Sequence, residues 1–135
     1  MNIDPNTIDD IWLQLQGLLQ PVAEQVKSSY PDISTTINRS QNDIFPLRVQ
    51  LTFLRQRDGE EIAISVDFKY KDHLLKIESD ICTDEGQVLI EGPSISIDGP
   101  KDKDLLNRAI NEWIDKYRFF LNKQYDLLEK AMTTI

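Results

Sequence analysis

At 135 residues, with 40% hydrophobic and 28% charged residues, the chain is one domain long and can bury roughly two-thirds of its unfolded surface around a single core. Five glycines and six prolines are too few for a low-complexity chain, and the apolar content excludes wholesale disorder. With 15 Lys and Arg against 23 Asp and Glu, the net charge of −8 repels nucleic-acid backbones and anionic membranes on average, so neither is an expected partner.

The opening Met-Asn-Ile-Asp-Pro-Asn-Thr-Ile-Asp-Asp lacks the basic and then apolar order of a secretion signal, and no run of about 18 apolar residues occurs anywhere. The expectation is a soluble, cytoplasmic protein. From Ile8 to Val26 the apolar residues Ile8, Ile11, Trp12, Leu15, Leu18, Leu19, Val22 and Val26 recur at steps of three and four, which predicts one face of a helix. Asn6 or Thr7 is the expected cap, with Asp9 and Asp10 in the first turn, where negative charge complements the helix dipole. Pro21 removes a backbone donor and predicts a kink or break near Leu19 to Gln20.

After Tyr30-Pro31-Asp32 the pattern changes to alternation, with Ile33, Thr35 and Ile37 pointing one way and Ser34, Thr36 and Asn38 the other. Further alternating segments follow, and turn residues set their expected register. A two-residue turn at Asp58-Gly59 pairs Arg57 with Glu60, Phe53 with Ile64, Leu51 with Val66 and Val49 with Phe68. Taking Tyr70 to His73 as the next connection sets Phe68 opposite Leu75, Val66 opposite Ile77 and Asp67 opposite Lys76. A turn at Glu85-Gly86 then pairs Thr83 with Val88, Cys82 with Leu89, Ile81 with Ile90 and Asp80 with Glu91. Gly92-Pro93 ends that ladder, and Ile95 and Ile97 resume in the opposite phase, which predicts a bulge or bend. In this register Leu51, Phe53, Val66, Phe68, Ile77 and Ile81 share one covered face.

Asp98-Gly99-Pro100 closes the sheet, and Asp102 is placed to cap a helix from about Lys103 to Met132. Leu106, Trp113, Phe120 and Leu127 form one row seven apart, flanked by Ile110, Tyr117, Ile114, Leu121 and Leu128. The expected fold is therefore a single α+β domain over residues 1–135. It comprises an N-terminal helix, an antiparallel meander of about five strands and a long C-terminal helix, with both helices on one sheet face.

Chemistry is sparse. Cys82 is the single cysteine, so no internal disulfide forms, and His73 is the single histidine, so an ordinary zinc site has too few ligands. Gly59, Gly86, Gly92 and Gly99 are isolated turn residues rather than a phosphate-binding loop, and no nucleophile elbow surrounds Ser65. No cofactor, metal or catalytic residue is expected. The most specific constellation is the open sheet face, where Asp80 is expected across from Glu91 with Glu78 two residues away, because like charges placed opposite one another call for screening, a shared proton or a basic partner. Phe119 projects from the apolar stripe of the last helix among charged neighbours and is a second candidate contact.

The leading expectation is a non-enzymatic acidic module that binds another, basic protein, as an adaptor, an immunity-type inhibitor or a chaperone-type protein does. The alternatives are a small hydrolase or metal-assisted enzyme using Asp80, Glu91 and Glu78, and a small-ligand carrier with a pocket lined by Trp113, Tyr117 and Phe68. A helix of about 30 residues is roughly 45 Å long, longer than a ten-residue strand at roughly 33 Å. The overhang predicts a homodimer through Tyr117, Phe120, Leu121 and Leu128, unless the first helix covers the same residues.

Overall fold

A computed structural model describes residues 3–83, 85–98 and 103–133, without the side chains of residues 127 and 131–133. The expected turn at Gly99-Pro100 and cap at Asp102, and the side chain of Leu127, lie outside the described residues.

Helix α1 spans Pro5–Ser29. It starts a turn earlier than the apolar pattern predicts, because Asp4, not Asn6 or Thr7, is the cap. The Asp4 carboxylate accepts a hydrogen bond from the Asn6 amide at 2.9 Å, and Pro5 occupies the first helical position, where its missing donor costs nothing. Asp9 and Asp10 consequently lie beyond the first turn. The helix is not broken at Pro21. Both Pro21 and Gly17, the residue whose carbonyl loses its bond, are exposed, so the loss falls on the hydrated side of the helix while Leu15, Leu19, Ala23 and Val26 continue the buried stripe.

The strands are β1 (Ile33–Ser40), β2 (Leu47–Arg55), β3 (Glu61–Lys71), β4 (Leu74–Thr83), β5 (Val88–Glu91) and β6 (Ile95–Asp98), and α2 runs over Lys103–Thr133. They form one six-stranded antiparallel sheet in the order β1-β2-β3-β4-β5, with β6 also paired to β4. The bend expected after Gly92-Pro93 therefore splits the last strand into two short pieces that share one neighbour, β5 along Asp80 to Cys82 and β6 along Leu74 to Ile77.

Two registers differ from expectation by one pleat. Across the first hairpin Leu47 faces Phe68, Val49 faces Val66, Leu51 faces Ile64 and Phe53 faces Ile62, because Arg55 rather than Arg57 meets Glu60. Arg55 holds the longer loop shut, its guanidinium bonding the Asp58 carboxylate at 2.6 and 3.0 Å. Across the second hairpin the turn is the pair Asp72-His73, with Asp72 at a positive φ of 58°, so Phe68 faces Ile77 and Asp67 faces Glu78 rather than Lys76. In the third hairpin Asp80 faces Glu91 and Ile81 faces Ile90 as expected, but a bulge sets Cys82 opposite Val88 instead of Leu89.

A two-residue shift preserves which face each side chain occupies. Leu51, Phe53, Val66, Phe68, Ile77 and Ile81 are accordingly all buried on the covered face. Both helices lie on that face and run parallel along it: Asp4 at the start of α1 lies 3.9 Å from Lys103 at the start of α2, and Tyr30 at the end of α1 donates to Glu129 near the end of α2 at 2.8 Å. Between sheet and α2 the Trp113 indole stacks on Tyr117 with ring centroids 4.8 Å apart and meets the edge of Phe68 at 6.2 Å. The three rings fill the space the carrier reading assigned to a pocket.

The β5-β6 junction is tied to α2 through one carbonyl. Pro93 oxygen accepts from the Ser79 hydroxyl at 2.8 Å and from Trp113 Nε1 at 2.9 Å. Gly92 passes against Ser79 and the Phe120 ring so closely that a Cβ there would overlap the Ser79 side chain.

Candidate functional site

The uncovered sheet face is read from the same alternation. β2 contributes Arg48, Gln50 and Thr52, β3 contributes Ala63, Ser65, Asp67 and Lys69, and β4 contributes Lys76, Glu78, Asp80 and Cys82. Cross-strand pairing orders them into rows: Asn38, Gln50, Ser65, Asp80 and Glu91 form one, and Ser40, Arg48, Asp67 and Glu78 form the next. Lys69 and Lys76 face each other one row further along. Three successive rows thus each contain a like-charged pair, an arrangement that costs energy unless charge is balanced between rows.

That balance is uneven. Asp67 is held by Arg48, whose Nε lies 3.0 Å from its carboxylate, and the lysine row flanks Glu78 along the strand. Asp80 and Glu91 have no cation at the adjoining positions, which are Ser65, Cys82, Val88 and Glu78. Asp80 is half-buried, and its Oδ1 is buried without a hydrogen-bond partner among the described residues. Desolvation above all, followed by the charges of Asp67, Glu78 and Glu91, raises its carboxyl above the ordinary value, against a smaller opposing effect of its hydrogen bond with Cys82. Beside this row, Asn38, Ser40, Arg48, Gln50, Ser65 and Asp67 line a shallow depression of about 250 Å³.

Of the expected contact residues, Glu78, Asp80 and Glu91 come together on this face, whereas Phe119 does not. It is 69% exposed on α2, across the sheet from the carboxylates. Tyr117, Phe120, Leu121 and Leu128, expected at a dimer interface, are all buried within the chain's own core, at 0 to 8% exposure. The parallel course of α1 beside α2 supplies the cover, the alternative to a second copy that the sequence left open.

Burial pushes the Cys82 thiol up, as does the Asp80 charge, so it is not an activated nucleophile, and His73 is exposed in its turn. Among the described residues no three His, Cys, Asp or Glu side chains converge in a way that could hold a metal ion. Three arginines are taken up locally: Arg39 by Asp9 at 2.8 Å, Arg55 by Asp58 at 2.6 Å, and Arg57 by Asp32 at 3.9 Å.

Sequence reasoning missed Asp67, Arg48 and Ser65 as neighbours of the acidic row. The signal was the Lys-Asp-His-Leu stretch, where Asp tolerates the left-handed conformation and so makes Asp72-His73 a complete two-residue turn. No protein-family model, no curated protein and no solved structure matches the chain.

Proposed function

We propose that the chain is a non-enzymatic binding module whose open sheet face docks a positively charged surface of another protein. The observation that carries this reading is the Asp80–Glu91 pair, two carboxylates set opposite each other with no cation at the adjoining positions, with one Asp80 oxygen buried and without a hydrogen-bond partner among the described residues. A lysine or arginine from a partner removes the repulsion between the two carboxylates, so the energetic defect of the free chain becomes a gain on association. A hydrolytic role draws less support, since acid–base work by two carboxylates calls for a sheltered cleft and this face is a broad, shallow surface.

A synthetic lysine-rich peptide tests the reading by isothermal titration at low and moderate salt. The expected result is binding to the wild type that weakens with salt and falls by about tenfold in Asp80→Asn/Glu91→Gln. Binding insensitive to both the substitutions and salt removes the acidic face from the mechanism.

A further inference from the structure

The two edges of the sheet are built differently. On the β4 side the outermost strands β5 and β6 have four residues each, are separated by Gly92-Pro93-Ser94, and follow a register shift between Ile81 and Cys82. Shortness, a proline and a bulge are the devices by which natural sheets prevent an edge from recruiting another strand. β1 has none of these three, and its one charge on the covered face, Arg39, is paired with Asp9 of α1. It pairs with β2 without interruption from Ile33 to Ser40 and contains no proline, glycine or lysine. From Ser34 to Ser40 its backbone bonds run to β2 alone among the described residues, which leaves an outer row of N–H and C=O groups about 24 Å long.

We propose that β1 is the interface through which two copies of this chain join edge to edge, antiparallel, into one continuous sheet. An antiparallel strand is its own partner under a two-fold axis normal to the sheet, so the second copy satisfies the row with no further chemistry. Such an axis keeps covered face with covered face. Ile37, half-buried at the core margin near the middle of β1, then lies close to the axis and gains an apolar neighbour from the other copy. Charge does not oppose the contact despite the net −8. The only charged residue of β1 is Arg39, and its guanidinium is bound to Asp9 and lies over the Trp12 ring at 5.8 Å. That contact also fixes the flank of α1 above β1, and Leu13, 62% exposed, follows Trp12 around the helix towards the solvent side of that flank. The joined sheet places both acidic rows on the same side, so a partner of the open face meets two of them.

Sedimentation equilibrium between about 1 and 200 μM, with amide hydrogen exchange at both ends of that range, tests the interface. The wild type is expected to dimerise, with the amides of residues 34–40 more protected at high concentration. Thr36→Lys, at an exposed position on the open face, sets two lysines near the axis and is expected to weaken the dimer by about tenfold or more. Asn38→Lys, equally exposed, repeats the test if the first variant misfolds, and Val88→Lys on the defended edge leaves the dimer unchanged. A wild type that stays monomeric throughout, or a dimer indifferent to lysine at both 36 and 38, overturns the proposal. So does a monomer whose β1 amides gain protection only from an extended segment of another protein, which puts a different occupant on the edge. Loss of lysine-peptide binding in Asp80→Asn/Glu91→Gln is read separately, because those residues lie at the opposite side of the sheet.

Discussion

Tyr117 illustrates how a side chain placed for its bulk can carry a polar atom at a cost. Its ring is sandwiched between Trp113 and Phe120, with centroids 4.8 and 6.0 Å away, and its hydroxyl is buried with no hydrogen-bond partner among the described residues. Burial, and then the charge of Asp80, drives its ionisation far above the ordinary range, so the group stays neutral. Tyr117→Phe retains the stacking and deletes the unsatisfied hydroxyl, so urea denaturation is expected to show a gain of about 1 kcal/mol. Asp80 and Asp58 have opposite pH signatures. Folding raises the Asp80 pKa, so its contribution is fully present below the unfolded carboxyl range and is lost as pH rises through the folded value. Asp80→Asn should therefore be more stable than wild type at neutral pH, by less than about 1 kcal/mol, and lose that advantage in acid. Asp58 is lowered mainly by its hydrogen bond with Arg55, so its contribution is present above the unfolded value and disappears as pH falls through the folded one. Melting temperature against pH for the wild type, Asp80→Asn and Asp58→Asn checks both signs, since the second variant should have a flatter acid limb.

At the scale of elements, parity was legible in the sequence and absolute register was not. Alternation in Leu47–Arg55 and Glu61–Lys71 identifies which residues share a face, but a slip of two residues keeps every side chain on its face and leaves the hydrophobic pattern silent. Loop chemistry had to decide. Asp58-Gly59 reads as a tight turn, yet the Arg55–Asp58 bridge makes a longer loop, and this ion pair is invisible to a turn rule. The Asp80–Glu91 pairing was legible because Gly86, at φ 81°, anchors the turn and the bulge lies between Ile81 and Cys82, on the turn side of that pair. The β5-β6 junction adds a constraint that neither periodicity nor turn type announces. Gly92→Ala would drive a methyl group into the buried Ser79 side chain, whose hydroxyl is committed to Pro93, and into Phe120. Displacing them is expected to cost about 1 to 3 kcal/mol in chemical denaturation, while Gly17→Ala, in open space on an exposed helical turn, is expected to be stabilising by about 1 kcal/mol.

For the molecule as a whole, the length of α2 poses the problem that α1 solves. A helix of 31 residues, about 46 Å long, exceeds the reach of a ten-residue strand, and its apolar stripe continues to Leu128. Sequence reasoning identified the surplus and left its cover open between a second copy and the first helix, because periodicity gives the buried face of each helix and not their relative direction. Running α1 parallel to α2 places Val22 beside Leu121, Tyr125 and Leu128, together with Ile64 and Ile81 from the sheet, and the Tyr30–Glu129 hydrogen bond closes the far end. Leu128, 3% exposed, is thereby part of the single core. Leu128→Asp removes its packing and buries a carboxylate among apolar side chains, an expected loss of about 3 kcal/mol or more in a domain whose whole stability is about 5 to 15 kcal/mol. Circular dichroism should show the melting temperature collapse, with global unfolding rather than release of folded subunits. Phe119→Asp on the opposite side of the same helix, at 69% exposure, should change stability by less than about 0.5 kcal/mol. A folded, stable Leu128→Asp monomer derived from a wild-type dimer would instead return the end of α2 to an intermolecular interface and detach it from the core.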